Sequence, residues 1–150
     1  MKKVCIALDY SPAGEKVAET GYLYAKALGA KIALAHVVSD TVYYDMDFSP
    51  IMGYTGAPTS VKFQLDEDFK REAENFLSAS KVHLGDKNIE TVVLQGETAT
   101  TLLKYAKEWD ADLLVIGTHS HSGLENLMMG NTAVKVVKHA AIPLLVVPVK

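Results

Sequence analysis

Five short apolar runs alternate along this chain with four longer stretches in which apolar residues return with a helical period. Residues 4–8 are unbroken apolar, and so are most of 31–38, 89–94, 113–116 and 143–149. A run of that length without polar alternation reads as a strand buried on both faces. Between the runs, Val17, Gly21, Tyr24, Ala25 and Leu28 keep helical spacing after Ser11-Pro12 and before Gly29. Serine as cap, with proline at the first helical position, is the expected start of this helix. Leu65, Phe69, Ala73, Phe76, Leu77 and Ser80 trace the face of a second helix across 61–84, closed by Gly85. Gly96-Glu97-Thr98 reads as a turn and N-cap for a third helix, with Ala99, Leu102, Leu103 and Ala106 inward, ending near Asp110. A fourth helix is expected from Gly130 onward, with Ala133, Val134 and Val137 inward.

Strict strand–helix alternation predicts an α/β fold, Rossmann-like, with a five-stranded parallel sheet covered by helices on both faces. The expected order is 3-2-1-4-5, with right-handed crossovers and two helices on each face. In such a sheet, ligands bind beyond the carboxyl ends of the strands, where the winding direction reverses. Asp9 and Gly117 close the two strands that flank that crevice. One segment breaks the economy of the pattern. Residues 39–60 hold Tyr43, Tyr44, Asp45, Met46, Asp47 and Phe48, then Pro50, Gly53, Gly56 and Pro58. That is long for a loop in a compact domain and suggests a cover over a ligand or a neighbouring subunit. Asp45 and Asp47 read as solvated carboxylates rather than a metal site.

Composition narrows the partners. One hundred and fifty residues that are 49% apolar suit one domain, 1–150, with a real core. A net charge of −3 argues against nucleic acid or an anionic membrane surface as partner. No apolar run reaches the roughly 18 residues of a membrane span. The first residues lack the cleavage site and apolar length of a secretory signal, so a cytoplasmic location is expected. Cys5, the single cysteine, lies inside the first strand and reads as packing.

The candidate chemistry lies after the fourth strand. Gly117-Thr118-His119-Ser120-His121-Ser122-Gly123 leads to Met128-Met129-Gly130-Asn131-Thr132, where the last helix begins. Strand, small-residue loop and helix start together aim backbone N–H groups at an anion, usually a phosphate. A βα turn of a parallel sheet needs glycines and caps in any case. His119 and His121 stand without the further ligands that a metal would need, so no metal site is expected. His36 and His139 read as packing or capping residues. A phosphoacceptor receiver domain shares this topology but would end its third strand in aspartate, where this chain has Leu94-Gln95.

The spacing carries more. Two residues separate Gly117 from Ser120, and nine separate Ser120 from Gly130. This resembles the universal stress protein family, whose ATP-binding loop runs Gly, two residues, Gly, nine residues, Gly, then Ser or Thr. The flanks 115–119 and 136–148 and the start 4–11 are also similar to that family, and the likeness covers the whole chain. Ser120 stands where the second glycine is expected, and Asn131 where the hydroxyl residue is expected. Glycine there permits φ > 0 and a close approach of phosphate, whereas serine avoids that region or carries strain of roughly 1–3 kcal/mol. Ser120 could instead donate its hydroxyl, and Thr132 could substitute for the displaced hydroxyl.

The resemblance implies an adenine nucleotide of the ATP type, with or without Mg²⁺, held as by a sensor or switch. Asp9 would meet the base or ribose, and Val37 and Ile116 would wall the adenine. Gly117, His119, Ser120, Gly130, Asn131 and Thr132 would surround the phosphates. It also implies a homodimer through the last strand, 143–149, an apolar edge bracketed by Pro143 and Pro148. The alternative is a family member that has lost the nucleotide and serves as a dimeric interaction scaffold. Enzyme catalysis is not expected, since 117–132 has no Lys or Arg and only one carboxylate, Glu125. Any ATP hydrolysis would be slow. Lys135 and Lys138, on the helix that follows, are expected to point to solvent.

Overall fold

A computed structural model describes residues 1–39, 59–118 and 129–149. The elements alternate as β1 (Lys3–Ala7), α1 (Ala13–Ala27), β2 (Lys31–Ser39), α2 (Thr59–Leu84), β3 (Glu90–Gly96), α3 (Thr98–Glu108), β4 (Leu113–Gly117), α4 (Asn131–His139) and β5 (Leu144–Val147). The strands form one parallel sheet in the order β3-β2-β1-β4-β5, as the alternation predicts. The expected long segment 39–60 gives Ser39 to β2 and Thr59 and Ser60 to α2; its remaining residues, 40–58, lie outside the described residues.

Alternation along the strands sends successive side chains to opposite faces. Val4, Ile6, Ile32, Leu34 and Val115 pack under α1 and α2 with Val17, Ala18, Ala25 and Leu77. Cys5, Ala35, Leu114 and Ile116 pack on the other face with Ala99, Leu102 and Ala106 of α3 and Ala133 and Val136 of α4. Each face therefore carries two helices. Cys5 is fully buried, and burial pushes its thiol up to about 12. It is a packing residue without thiolate character.

Three local expectations differ from the structure. Ser11 does not cap α1. Pro12 occupies the cap position and no side chain caps the helix, while Ser11 donates through both its N–H and its hydroxyl to Asp9 Oδ1. The aspartate acceptor wins the serine because it folds the chain into a local Asx turn. Tyr24 and Leu28 are half exposed rather than core. The buried face of α1 is Gly14, Val17, Ala18, Gly21 and Ala25. That stripe of small residues brings the helix so close that a Cβ on Gly21 would stand 2.9 Å from Ile6 Cδ1. On α4, Val136 is fully buried and Val137 is 46% exposed. The face turned to the sheet is Ala133 and Val136, because α3 lies alongside and Lys135 reaches Glu97 at its start.

That contact carries a testable ion pair. Glu97 caps α3, its Oε2 accepting from Thr100 N at 2.8 Å, and its Oε1 lies 3.2 Å from Lys135 Nζ. Hydrogen bonds from Thr100, then the Lys135 contact, hold its carboxyl down at about 2. A depressed carboxylate stabilises the fold above its unfolded pKa of 4.5, and the gain disappears as pH falls from there towards 2. Glu97 is half exposed, so solvent screening leaves little beyond the cap itself. Glu97→Ala is expected to cost about 1 kcal/mol at pH 7. Urea unfolding at pH 7 and at acid pH checks this, the two proteins converging in stability as the carboxylate is protonated.

Candidate functional site at the carboxyl ends of the central strands

The winding direction reverses at β1, which pairs with β2 on one side and β4 on the other. The register pairs Ala7 with Ala35 and Ile6 with Val115. Carried two residues on, it sets Asp9 level with Val37 and one residue beyond the level of Gly117. Ala7, Val37 and Ile116 all belong to the face covered by α3 and α4, where Met129 and Ala133 also pack. Val37 is half-buried and Ile116 buried, so the strand ends present an apolar wall with its outer part accessible.

Asp9 is pinned by one oxygen only. Its Oδ1 accepts from Ser11 N at 2.9 Å and from the Ser11 hydroxyl. Among the described residues its Oδ2 has no hydrogen-bond partner. The first turn of α1 closes behind it, and a Cβ on Gly14 would stand 2.7 Å from the Asp9 carbonyl oxygen. Gly14 is therefore what lets the helix start against that carbonyl and fix the carboxylate at the strand end.

The opposite side is built by Thr118 and Gly130. Thr118 N donates to Val147 O at 3.0 Å, and its Oγ1 accepts from Val149 N at 3.1 Å. Gly130 N donates to Thr118 O at 2.8 Å, so the chain leaving β4 and the chain entering α4 are tied together. Gly130 has extended backbone, φ −61° and ψ 158°, and no side chain caps the helix. Val134 N donates to Gly130 O as the first helical bond. The N–H groups of Asn131, Thr132 and Ala133 precede that bond and have no acceptor within the helix. This end of α4 carries the positive pole of the helix dipole.

Of the predicted site residues, Asp9, Val37, Ile116, Gly117, Gly130, Asn131 and Thr132 are described, and all lie at the carboxyl ends of β1, β2 and β4 or at the start of α4. His119 and Ser120 lie outside the described residues, as does His121. Thr118 was missed by sequence reasoning, although its place directly after Gly117 was the available signal. His36 is a packing residue: buried, its Nδ1 donates to Leu8 O at 2.8 Å. Its ring lies 4.5 Å from that of Tyr10 and 5.7 Å from that of Phe76, on the α1 and α2 face rather than in the crevice. Lys135, expected to point to solvent, is exposed but engaged with Glu97. Among the described residues no helix is long and apolar enough to cross a membrane.

Comparison with known proteins agrees with this architecture. The pattern of the Universal stress protein family matches residues 1–148. Universal stress protein YxiE of Bacillus subtilis is 28% identical over 147 residues, covering 97% of each chain. Among solved structures, protein MJ0577 of Methanocaldococcus jannaschii superposes with a TM-score of 0.81 at 20% identity, over 99% of this chain and 96% of that one. A universal stress protein in complex with cAMP superposes with a TM-score of 0.62 at 21% identity, over 99% of this chain and 98% of the other. With the family pattern spanning nearly every residue and the same fold beneath it, the chain belongs to the universal stress protein family.

Proposed function

We propose that this chain, as one domain over 1–150, is a cytoplasmic regulatory protein that binds an adenine nucleotide of the ATP type at the β1/β4 crevice and uses it as a switch. The observation that carries this reading is the uncapped start of α4, tied through Gly130 and Thr118 to the end of β4 beside the half-free carboxylate of Asp9. The N–H groups of Asn131, Thr132 and Ala133, which have no acceptor within the helix, suit phosphate oxygens. Asp9 Oδ2 accepts from a ribose hydroxyl or the base, and Val37 and Ile116 lie against the adenine. Gly117, His119 and Ser120 complete the phosphate loop, and Mg²⁺, where it accompanies ATP, neutralises phosphate charge. The relative solved with cAMP supports an adenine nucleotide as the ligand class. Native mass spectrometry of the purified protein, without added ligand, tests the reading. A co-purified adenine nucleotide is expected, at a stoichiometry that falls in Gly130→Trp, which blocks the phosphate side.

The scaffold alternative keeps one observation in its favour, Ser120 in place of the loop glycine. If the purified protein is empty and Ser120→Gly is loaded, the serine is what closed the site. The protein is then a scaffold built on a sound crevice.

A bound triphosphate should persist. Fast phosphoryl transfer needs cations on the charge that develops, and 117–132 supplies neither Lys nor Arg. The next lysine, Lys135, is held by Glu97. Phosphate release from ATP and Mg²⁺ is expected far below the roughly 1–100 s⁻¹ of dedicated phosphoryl-transfer enzymes. Turnover of several per second that vanishes in Gly130→Trp would make the protein an enzyme.

The proposed assembly is a homodimer through β5. That strand is at the sheet edge, with Leu144, Leu145 and Val146 half-buried in the single chain. Pro143 O accepts from Leu114 in β4 and Val147 O from Thr118 just after it, so the backbone groups of Leu144 and Val146 point outward, towards a partner strand. Val146→Pro removes an outward N–H while leaving the β4 ladder intact. It is expected to turn a dimer into a monomer in sedimentation at micromolar concentration, and a wild-type monomer there would refute the assembly.

A further inference from the structure

Glu15 and Glu19 stand one turn apart on α1, and His83 meets them from the last turn of α2. His83 Nε2 lies 2.8 Å from Glu19 Oε1 and 3.2 Å from Glu15 Oε1. The three donor atoms all lie within 4.8 Å of one another, and all three side chains are exposed. We propose that Glu15, Glu19 and His83 bind a zinc-class divalent cation that bridges α1 to α2.

Zinc bonds of about 2.0–2.1 Å to nitrogen and oxygen put neighbouring tetrahedral ligands roughly 3.4 Å apart. The two observed separations reach that value by outward shifts of tenths of an ångström, within the freedom of exposed side chains. A water fills the fourth position. The single proton on Nε2 goes to Glu19, which leaves the Glu15 carboxylate 3.2 Å away without a hydrogen-bond donor among the described residues. Among the described residues neither glutamate pairs with a lysine or arginine. Lys26, further along α1, is engaged elsewhere: its Nζ and the Tyr22 hydroxyl both go to Asp86 Oδ2. A divalent ion satisfies both carboxylates and the imidazole at once. The mixed imidazole and carboxylate set suits zinc, cobalt or nickel, whereas magnesium and calcium prefer oxygen alone. The site shares no residue with the β1/β4 crevice, so it stands independently of the nucleotide reading.

The test is a calorimetric titration of the full nucleotide-free chain with zinc chloride, repeated with magnesium chloride. One zinc per chain with micromolar affinity is expected, and no magnesium heat. His83→Ala and Glu19→Gln should each weaken zinc binding at least tenfold, while His139→Ala, an exposed histidine elsewhere, should not. Circular dichroism of each variant without metal reports whether it is folded, and Glu19→Gln carries the test if His83→Ala is not. Zinc should also raise the melting temperature of the wild type and leave that of the weakened variants unmoved. The proposal is overturned by the absence of zinc heat up to millimolar metal, or by unchanged zinc affinity in the folded ligand variants.

Discussion

Gly14→Val is expected to unseat Asp9, destabilising the protein by about 1–3 kcal/mol and weakening nucleotide binding at least tenfold. A Cβ at position 14 would stand 2.7 Å from the Asp9 carbonyl oxygen and 3.4 Å from Asp9 Oδ1. The first contact is against backbone, which cannot swing aside as a side-chain tip can. Either α1 lifts from the end of β1 or the strand end moves, and both displace the carboxylate that Ser11 holds. Overpacking in a well-filled region costs energy of this order. Because Gly14 lies at the start of α1 and the nearest atoms to a Cβ there are those of Asp9, the two effects should appear together. Thermal unfolding measures the first and a titration with ATP and Mg²⁺ the second. A variant with wild-type stability and wild-type affinity would show that α1 does not position Asp9.

The largest effect on stability is expected from Leu114→Ala, at about 2–5 kcal/mol. Leu114 is fully buried in β4, in register with Cys5 on β1 and with Leu144 on β5. It packs on the face closed by α3 and α4, in the same cluster as Leu102, Ile116, Ala133 and Val136. Truncation leaves a cavity that both helices border, and a parallel strand paired on both sides collapses into it only partly. Chemical denaturation should therefore show a lower midpoint with the same slope, since the surface exposed on unfolding is nearly unchanged. A loss below about 1 kcal/mol would mean that this face is not closed as described.

The sheet was legible because both of its signals are local and redundant. Continuous runs such as 4–8 and 113–116 specify strands buried on both faces, and four helical stretches between them leave room only for parallel crossovers. Which residues line each helix was less legible. Tyr24 and Leu28 fit the helical period as well as Gly14 and Ala18 do, but close approach to Ile6 selects the small stripe. On α4 the neighbouring α3 turns Val136 inward and Val137 out, a choice that no periodicity within nine residues can make. In the site, Asp9 was readable as a strand-end acid, but its hold on Ser11, which the sequence pattern makes the cap of α1, was not. Thr118 has no motif of its own. Its role comes from three partners, Gly130, Val147 and Val149, that only the folded sheet brings together. The cluster of Glu15, Glu19 and His83 joins Glu19 to a residue 64 positions further along the chain, and periodicity on α1 alone shows just two surface glutamates.

Calorimetric titration of the wild-type chain with ATP and Mg²⁺, with Asp9→Ala titrated beside it, tests the central claim most directly. The account predicts one saturable site per chain in the wild type and an affinity at least tenfold weaker in Asp9→Ala. No heat from the wild type up to millimolar ATP, or equal affinity in the two proteins, would contradict it.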